Sequence, residues 1–149
     1  MLKLIGAFLV FLLGFFPAIS LAWNGLGHEV IAQIAYDHLS TPAKHAVNSL
    51  NFKYRHLFPR TRLFDQSATW ADRIKGNDVH AFDSWHFINL SFSPDGSVLP
   101  KIPKENVVWA INQSLATLQS PKASSFEQAL FLRFLIHFVG DVHQPLHCV

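Results

Sequence analysis

The stretch from Ser124 to His147 constrains the fold of this chain more than any other. Ser124 and Glu127 form a capping box, in which hydroxyl and carboxylate each take up a backbone N–H that a helix start leaves free. Phe126, Leu130, Phe134, His137 and Asp141 follow on one helical stripe. An imidazole and a carboxylate therefore lie one turn apart on an otherwise apolar face, the geometry two ligands need to share a metal ion. Pro145 breaks the helix, and His147 returns from a loop. By spacing alone, His137 and Asp141 fit a hydrogen-bonded core histidine or a buried ion pair equally well.

Most of the remaining chain also has helical spacing. Residues 27–39 carry Val30, Ile31, Ile34, Ala35 and Leu39 on one face, and Ser40-Thr41-Pro42 caps a second helix reaching about residue 50. Residues 52–62 mix aromatic and basic side chains around Pro59 and read as an irregular connection. A third helix is expected over 64–75, stopped at Gly76-Asn77, and a fourth over 104–118. Residues 84–92 read as a short extended stretch, followed by a turn at Ser93-Pro94-Asp95-Gly96. The expectation is a single all-α domain over 23–149, without repeats or linkers.

The first 22 residues stand apart. Lys3, an apolar run of 13 residues from Leu4 to Phe16, Pro17 and the small-residue exit Ser20-Leu21-Ala22 have the order of a secretory signal peptide. The run is shorter than the roughly 20 residues that span a bilayer. Cleavage after Ala22 implies a secreted or periplasmic protein with no stable membrane association. It leaves eleven basic and ten acidic residues, a formal charge of +1. Such a balance excludes a polycationic nucleic-acid binder, so a chain that handles a polyanion needs another source of positive charge. Nine histidines point to bound metal, and a lone Cys148 excludes an internal disulfide.

Three further motifs have chemical potential. Asp72 in Trp70-Ala-Asp72 is a carboxylate beside a large aromatic, and taken singly reads as a helix-surface or capping acid. His86 in Trp85-His-Phe-Ile-Asn89 taken singly reads as a packed histidine. Removal of the leader would free the α-amine of Trp23, which with its own carbonyl oxygen can chelate a metal, and His28 follows five residues later.

Taken together and in order, these motifs and the run Leu132-Arg-Phe-Leu-Ile-His-Phe-Val-Gly-Asp-Val-His-Gln-Pro-Leu-His147 resemble the S1/P1 nuclease family, the trinuclear zinc nucleases and 3'-nucleotidases. The resemblance extends from Trp23 to the last residue. It implies that Asp72, His86 and His137 bind one zinc, and that Asp141 bridges it to a second zinc held by Trp23 and His28. His147 would serve a third zinc, Lys75 would lie near substrate, and His143 would support the ligands. His38, His45, His56 and His80 match nothing in the family pattern.

The family's remaining ligands to the third zinc would follow the last motif by some twenty residues, beyond this sequence. The expectation is therefore an incomplete form of the fold, with two zinc ions or fewer, impaired activity and a missing C-terminal half. The implied activity is hydrolysis of single-stranded DNA or RNA, or of nucleotides, to 5'-phosphate products. The competing readings are a phospholipase-C-like phosphodiesterase, which shares the zinc logic, and an inactive zinc-binding helical remnant.

Overall fold

The computed structural model describes residues 24–148. The proposed signal peptide and Trp23 lie outside the described residues. Within them the chain is all-α and has no strand. Helix α1 covers Gly25–His38, α2 Thr41–Lys53, α3 Phe64–Ser67, α4 Trp70–Lys75, α5 Val107–Gln119 and α6 Ser125–Val142. Two 3-10 turns, Asp83–His86 and Pro145–His147, complete the regular structure.

The starts of these helices follow from their caps. Asn24, Ser40, Asn106 and Ser124 each place a side-chain oxygen on a backbone N–H of the first turn. At α6 the capping box is complete, because Glu127 also accepts from the Ser124 N–H at 2.7 Å. Asn106 explains why α5 begins at Val107 rather than near Lys104. Its Oδ1 accepts from Val108 N at 3.0 Å and Trp109 N at 3.2 Å, and its extended backbone cannot belong to the helix.

Helix α6 is the hub onto which α1, α2, α3, α4 and α5 all pack. A single apolar stripe understates its burial. Leu132, Arg133, Phe134, Ile136, His137, Phe138, Gly140 and Asp141 are all buried, so neighbours surround the helix rather than flank it. On one side Phe58, Trp70, Phe134 and Phe138 form an aromatic core, with Phe134 and Phe138 stacked at 5.3 Å and Trp70 edge-on to Phe134 at 5.2 Å. On the other, Leu132 and Ile136 meet Ala32 of α1 and Ala68.

Two expected elements differ. The helix expected over 64–75 is interrupted at Ala68 and Thr69, giving α3 and α4. Thr69 leaves helical geometry, and its hydroxyl donates to the Gln66 carbonyl at 3.5 Å and accepts from Arg73. A β-branched residue with competing hydrogen bonds thus replaces one helical turn. The stretch expected to be extended over 84–92 starts as the 3-10 turn Asp83–His86, and extended backbone begins at Phe87.

Candidate metal centre

Five segments deliver polar side chains to one point. Helix α1 brings His28, α4 brings Asp72, the first 3-10 turn brings His86, α6 brings His137 and Asp141, and the second 3-10 turn brings His147. Asp141 is at the centre. Its Oδ2 lies 3.2 Å from both His86 Nδ1 and His137 Nε2, and its Oδ1 lies 3.5 Å from both His28 Nε2 and His147 Nδ1. Asp72 closes the arrangement from the other side. Its Oδ1 is 3.6 Å from His137 Nε2 and 3.9 Å from His86 Nδ1, and its Oδ2 is 4.0 Å from His28 Nε2. The side chain of Asp141 is 1% exposed and that of Asp72 is 52% exposed, so the cluster opens to solvent at Asp72.

Backbone atoms set the orientation of these rings. The break between α3 and α4 leaves the Ala68 carbonyl at a helix end, where it accepts the Nδ1–H of His137 and turns Nε2 towards the carboxylates. His147 Nδ1 donates to the His86 carbonyl at 2.8 Å, while Ile88 N donates to the His147 carbonyl at 2.8 Å, tying the two 3-10 turns together. The buried Gln144 side chain accepts from Leu146 N and shapes the loop that carries His147. The His28 ring lies parallel to that of His137, with centroids 4.2 Å apart, and rests on Gly140. A Cβ at Gly140 would collide with Nδ1 of His28 and lie 3.1 Å from its Cε1.

The electrostatics are those of a site built around positive charge. Burial alone would raise the Asp141 carboxyl, but hydrogen bonds from His137 and His86, and their charge, hold it well below the usual carboxylate range. Burial would lower His137, yet the hydrogen bond and charge of Asp141, together with Asp72, keep its imidazole protonated above its ordinary value. His28 is shifted down, first by burial and then by the charge of His137. Even so, Oδ1 of Asp141 and Nδ1 of His28 are buried without a hydrogen bond among the described residues. His137 Nε2 and His86 Nδ1 face each other at 3.0 Å, both directed at the carboxylates. A divalent cation fits this donor set, since it would replace the shared proton and satisfy the orphaned oxygen. The ligand atoms of His28, His137 and Asp141, and those of Asp72, His86 and His137, form two overlapping groups that share His137, each compact enough to hold an ion.

Of the residues singled out from sequence, six converge here and two do not. Trp23 lies outside the described residues. Lys75, at the end of α4, has its Nζ 3.7 Å from Asp83 Oδ1. His143 is exposed, with its Nδ1 2.6 Å from the Val139 carbonyl of its own helix. Three contributors escaped the sequence reading. Only a small residue wedged between ligands hinted at Gly140, and nothing in the sequence marked the Ala68 and His86 carbonyls.

Residues 23–149 match the S1/P1 nuclease family model. Nuclease S1 of Aspergillus oryzae is 29% identical over 132 residues, covering 84% of this chain and 44% of that protein. Endonuclease 2 of Arabidopsis thaliana is 32% identical over 138 residues, covering 84% and 45%. Nuclease P1 of Penicillium citrinum is 26% identical over 131 residues, covering 84% and 47%. The chain thus spans about half the length of the curated relatives it matches. With the match running from residue 23 through the last motif, it belongs to the S1/P1 nuclease family.

Proposed function

We propose that this chain carries a zinc-binding part of a nuclease site that hydrolyses phosphodiester bonds of single-stranded DNA or RNA, leaving 5'-phosphates. The observation that carries the reading is the placement of the Asp141 carboxylate. One of its oxygens faces His86 and His137, the other His28, as a ligand bridging the first two zincs requires. We assign Asp72, His86 and His137 to one zinc, His28 with the amine and carbonyl of Trp23 to a second, and His147 to a third. Imidazole and carboxylate donors suit zinc. The two groups among the described residues share His137, so we expect two bound ions or fewer.

Zinc, when bound, supplies Lewis acidity and an ionised water at neutral pH. The chain's own residues prepare for this. Asp141 stays ionised and holds its two sets of imidazoles together. His137, fixed by Ala68, offers Nε2 in one direction only. His28 is kept neutral by burial, the form a ligand needs. The solvent-open side at Asp72 is the approach for substrate. We place Lys75 there, one turn beyond Asp72 on α4 and steered by Asp83, to receive a phosphate oxygen. We read Met1 to Ala22 as a cleaved export signal, which would free the Trp23 amine, and no helix among the described residues is long and apolar enough to cross a membrane.

The test is Asp141→Asn. Loss of a bridging carboxylate should lower zinc content and reduce hydrolysis of single-stranded DNA and RNA by about 100-fold or more. Zinc content and turnover both equal to those of the unsubstituted chain would refute the assignment. Release of phosphocholine from lipid without release of 5'-nucleotides would replace it with the phospholipase-like reading.

A further inference from the structure

The positive charge of this chain is placed unevenly. Its five arginines are Arg55, Arg60, Arg62, Arg73 and Arg133, and four of them fall between residues 55 and 73. The fifth, Arg133, reaches the same region from α6. It donates to Thr61 Oγ1 at 3.0 Å and the Asn51 carbonyl at 3.4 Å, and lies 4.1 Å over the Phe58 ring. Among the described residues, no arginine is within salt-bridge distance of a carboxylate. In a chain whose acidic and basic residues nearly balance, these guanidinium groups are left without a carboxylate in contact.

Not all of this charge is used to hold the fold. Arg133 and Arg73 do have structural bonds, and Arg73 donates to the carbonyls of Pro59 at 3.2 Å and Arg60 at 3.1 Å. Arg55 stacks on Phe52 at 3.9 Å and donates to the Phe52 carbonyl at 2.7 Å. The guanidinium groups of Arg60 and Arg62 are exposed and form no hydrogen bond among the described residues. Arg60 has φ 60°, a left-handed backbone that a side chain adopts at a cost. Burial, then the neighbouring Arg60 charge, shifts Arg73 downwards, and the opposing field of Glu29 is weaker than either.

Arg60 and Arg73 line a groove of about 790 Å3 whose walls also include Leu57, Pro59, Trp70 and Asn77, whereas Arg62 faces a separate cavity beside Phe52 and Asp65. One wall is α4, the helix that carries Asp72 to the metal cluster. A concave channel with an apolar floor and guanidinium groups at its edge suits an unpaired strand, whose flexible backbone can follow the groove while its phosphates meet planar donors. A membrane surface would call for a protruding apolar face instead.

We propose that this groove is a second contact surface for single-stranded nucleic acid. Arg60, beside Arg73, holds phosphates of a strand whose scissile bond lies at the metal cluster across α4. The inference deepens the nuclease reading and rests on it. Short substrates would be held by the cluster alone, and longer ones by both surfaces.

The experiment uses the full zinc-loaded chain and hydrolysis-resistant phosphorothioate oligothymidylates, a trinucleotide and a pentadecanucleotide, followed by fluorescence anisotropy across a salt series. The variant Arg60→Gly removes the charge at the groove that holds no structural bond, and glycine accepts the positive φ at position 60 without strain. It should weaken binding of the long strand several-fold, lower the slope of log affinity against log salt by about 0.7, and leave trinucleotide binding in place. Lysine at position 60 should restore most of the slope. Unchanged affinity and slope for the long strand would overturn the proposal. So would arginine-dependent binding to phosphatidylglycerol vesicles that matches or exceeds binding to the strand. Zinc content and trinucleotide cleavage report on the cluster separately. If those fail while arginine-dependent binding of the long strand persists, the nuclease assignment falls and the groove stands.

Discussion

At the scale of single residues, the centre depends as much on what is missing from a side chain as on what is present. Gly140 lies between Val139 and the bridging candidate Asp141, and the His28 ring occupies the space where a Cβ would stand. The obstruction is a ring locked between Gly140 and His137, so it has no free end that could swing away. Gly140→Ala should therefore displace His28 and empty the half of the cluster that His28 serves. Alanine is otherwise favoured over glycine inside a helix, so the helix itself is not weakened. The expected result is loss of about half of the bound zinc by elemental analysis, with an unchanged helical circular dichroism spectrum. Full zinc content in this variant would show that the ring has room to move. Arg133 illustrates the opposite economy. It is fully buried, with the Ala129 carbonyl at 2.7 Å from Nη1, and burial pushes its guanidinium down to about 10, yet it keeps its charge at neutral pH.

At the scale of elements, the caps separate folding from the site. Ser124 and Glu127 form their capping box at the end of α6 opposite His137 and Asp141. Ser124→Ala should cost about 1 kcal/mol in urea unfolding and leave the zinc count as it was, since no ligand lies near that end. A drop in zinc content equal to that of a ligand substitution would mean that α6 registers the cluster from its first turn. The same comparison shows what the sequence could and could not disclose. The long helices, the caps at Ser40 and Ser124 and the His137-Asp141 face were legible, because each follows from local chemistry with a fixed period, whereas the caps at Asn24 and Asn106 were not read. The break at Ala68 and Thr69 was not, since the stretch 64–75 holds neither proline nor an internal glycine, and a threonine hydroxyl competing for the backbone leaves no periodic trace. That break nevertheless orients His137, so the part of the site held by backbone carbonyls was invisible, whereas the part held by side chains was already in view. The arginine-lined groove had a similar fate. The 52–62 connection showed its basic residues, but only the fold sets them against Arg73 of α4.

At the scale of the whole molecule, the cluster joins α1, α4, α6 and both 3-10 turns, so its protonation is also a term in the stability of the chain. In the zinc-free chain three groups act in different directions. The folded state lowers the His28 value below 6.5, so folding loses stability as pH falls through that value, where the unfolded chain gains a proton that the buried ring refuses. Asp141 is depressed below its ordinary 3.8, so its contribution is intact above that pH and is lost in stronger acid. His137 is raised above 6.5, so its contribution is complete below 6.5 and disappears as pH rises through the folded value, leaving Asp141 and Asp72 without a balancing proton. The zinc-free chain should thus lose stability on both sides of a maximum. Zinc removes the alkaline loss, because an ion that does not titrate takes over from the proton on His137, and it steepens the acid loss, because protons compete with it for the imidazoles. Urea midpoints measured against pH, with zinc and with a chelator, should therefore diverge most at neutral and alkaline pH and converge as pH falls below about 6. Two parallel curves would mean that these six side chains hold no metal, and that their meeting around Asp141 is only a buried polar network.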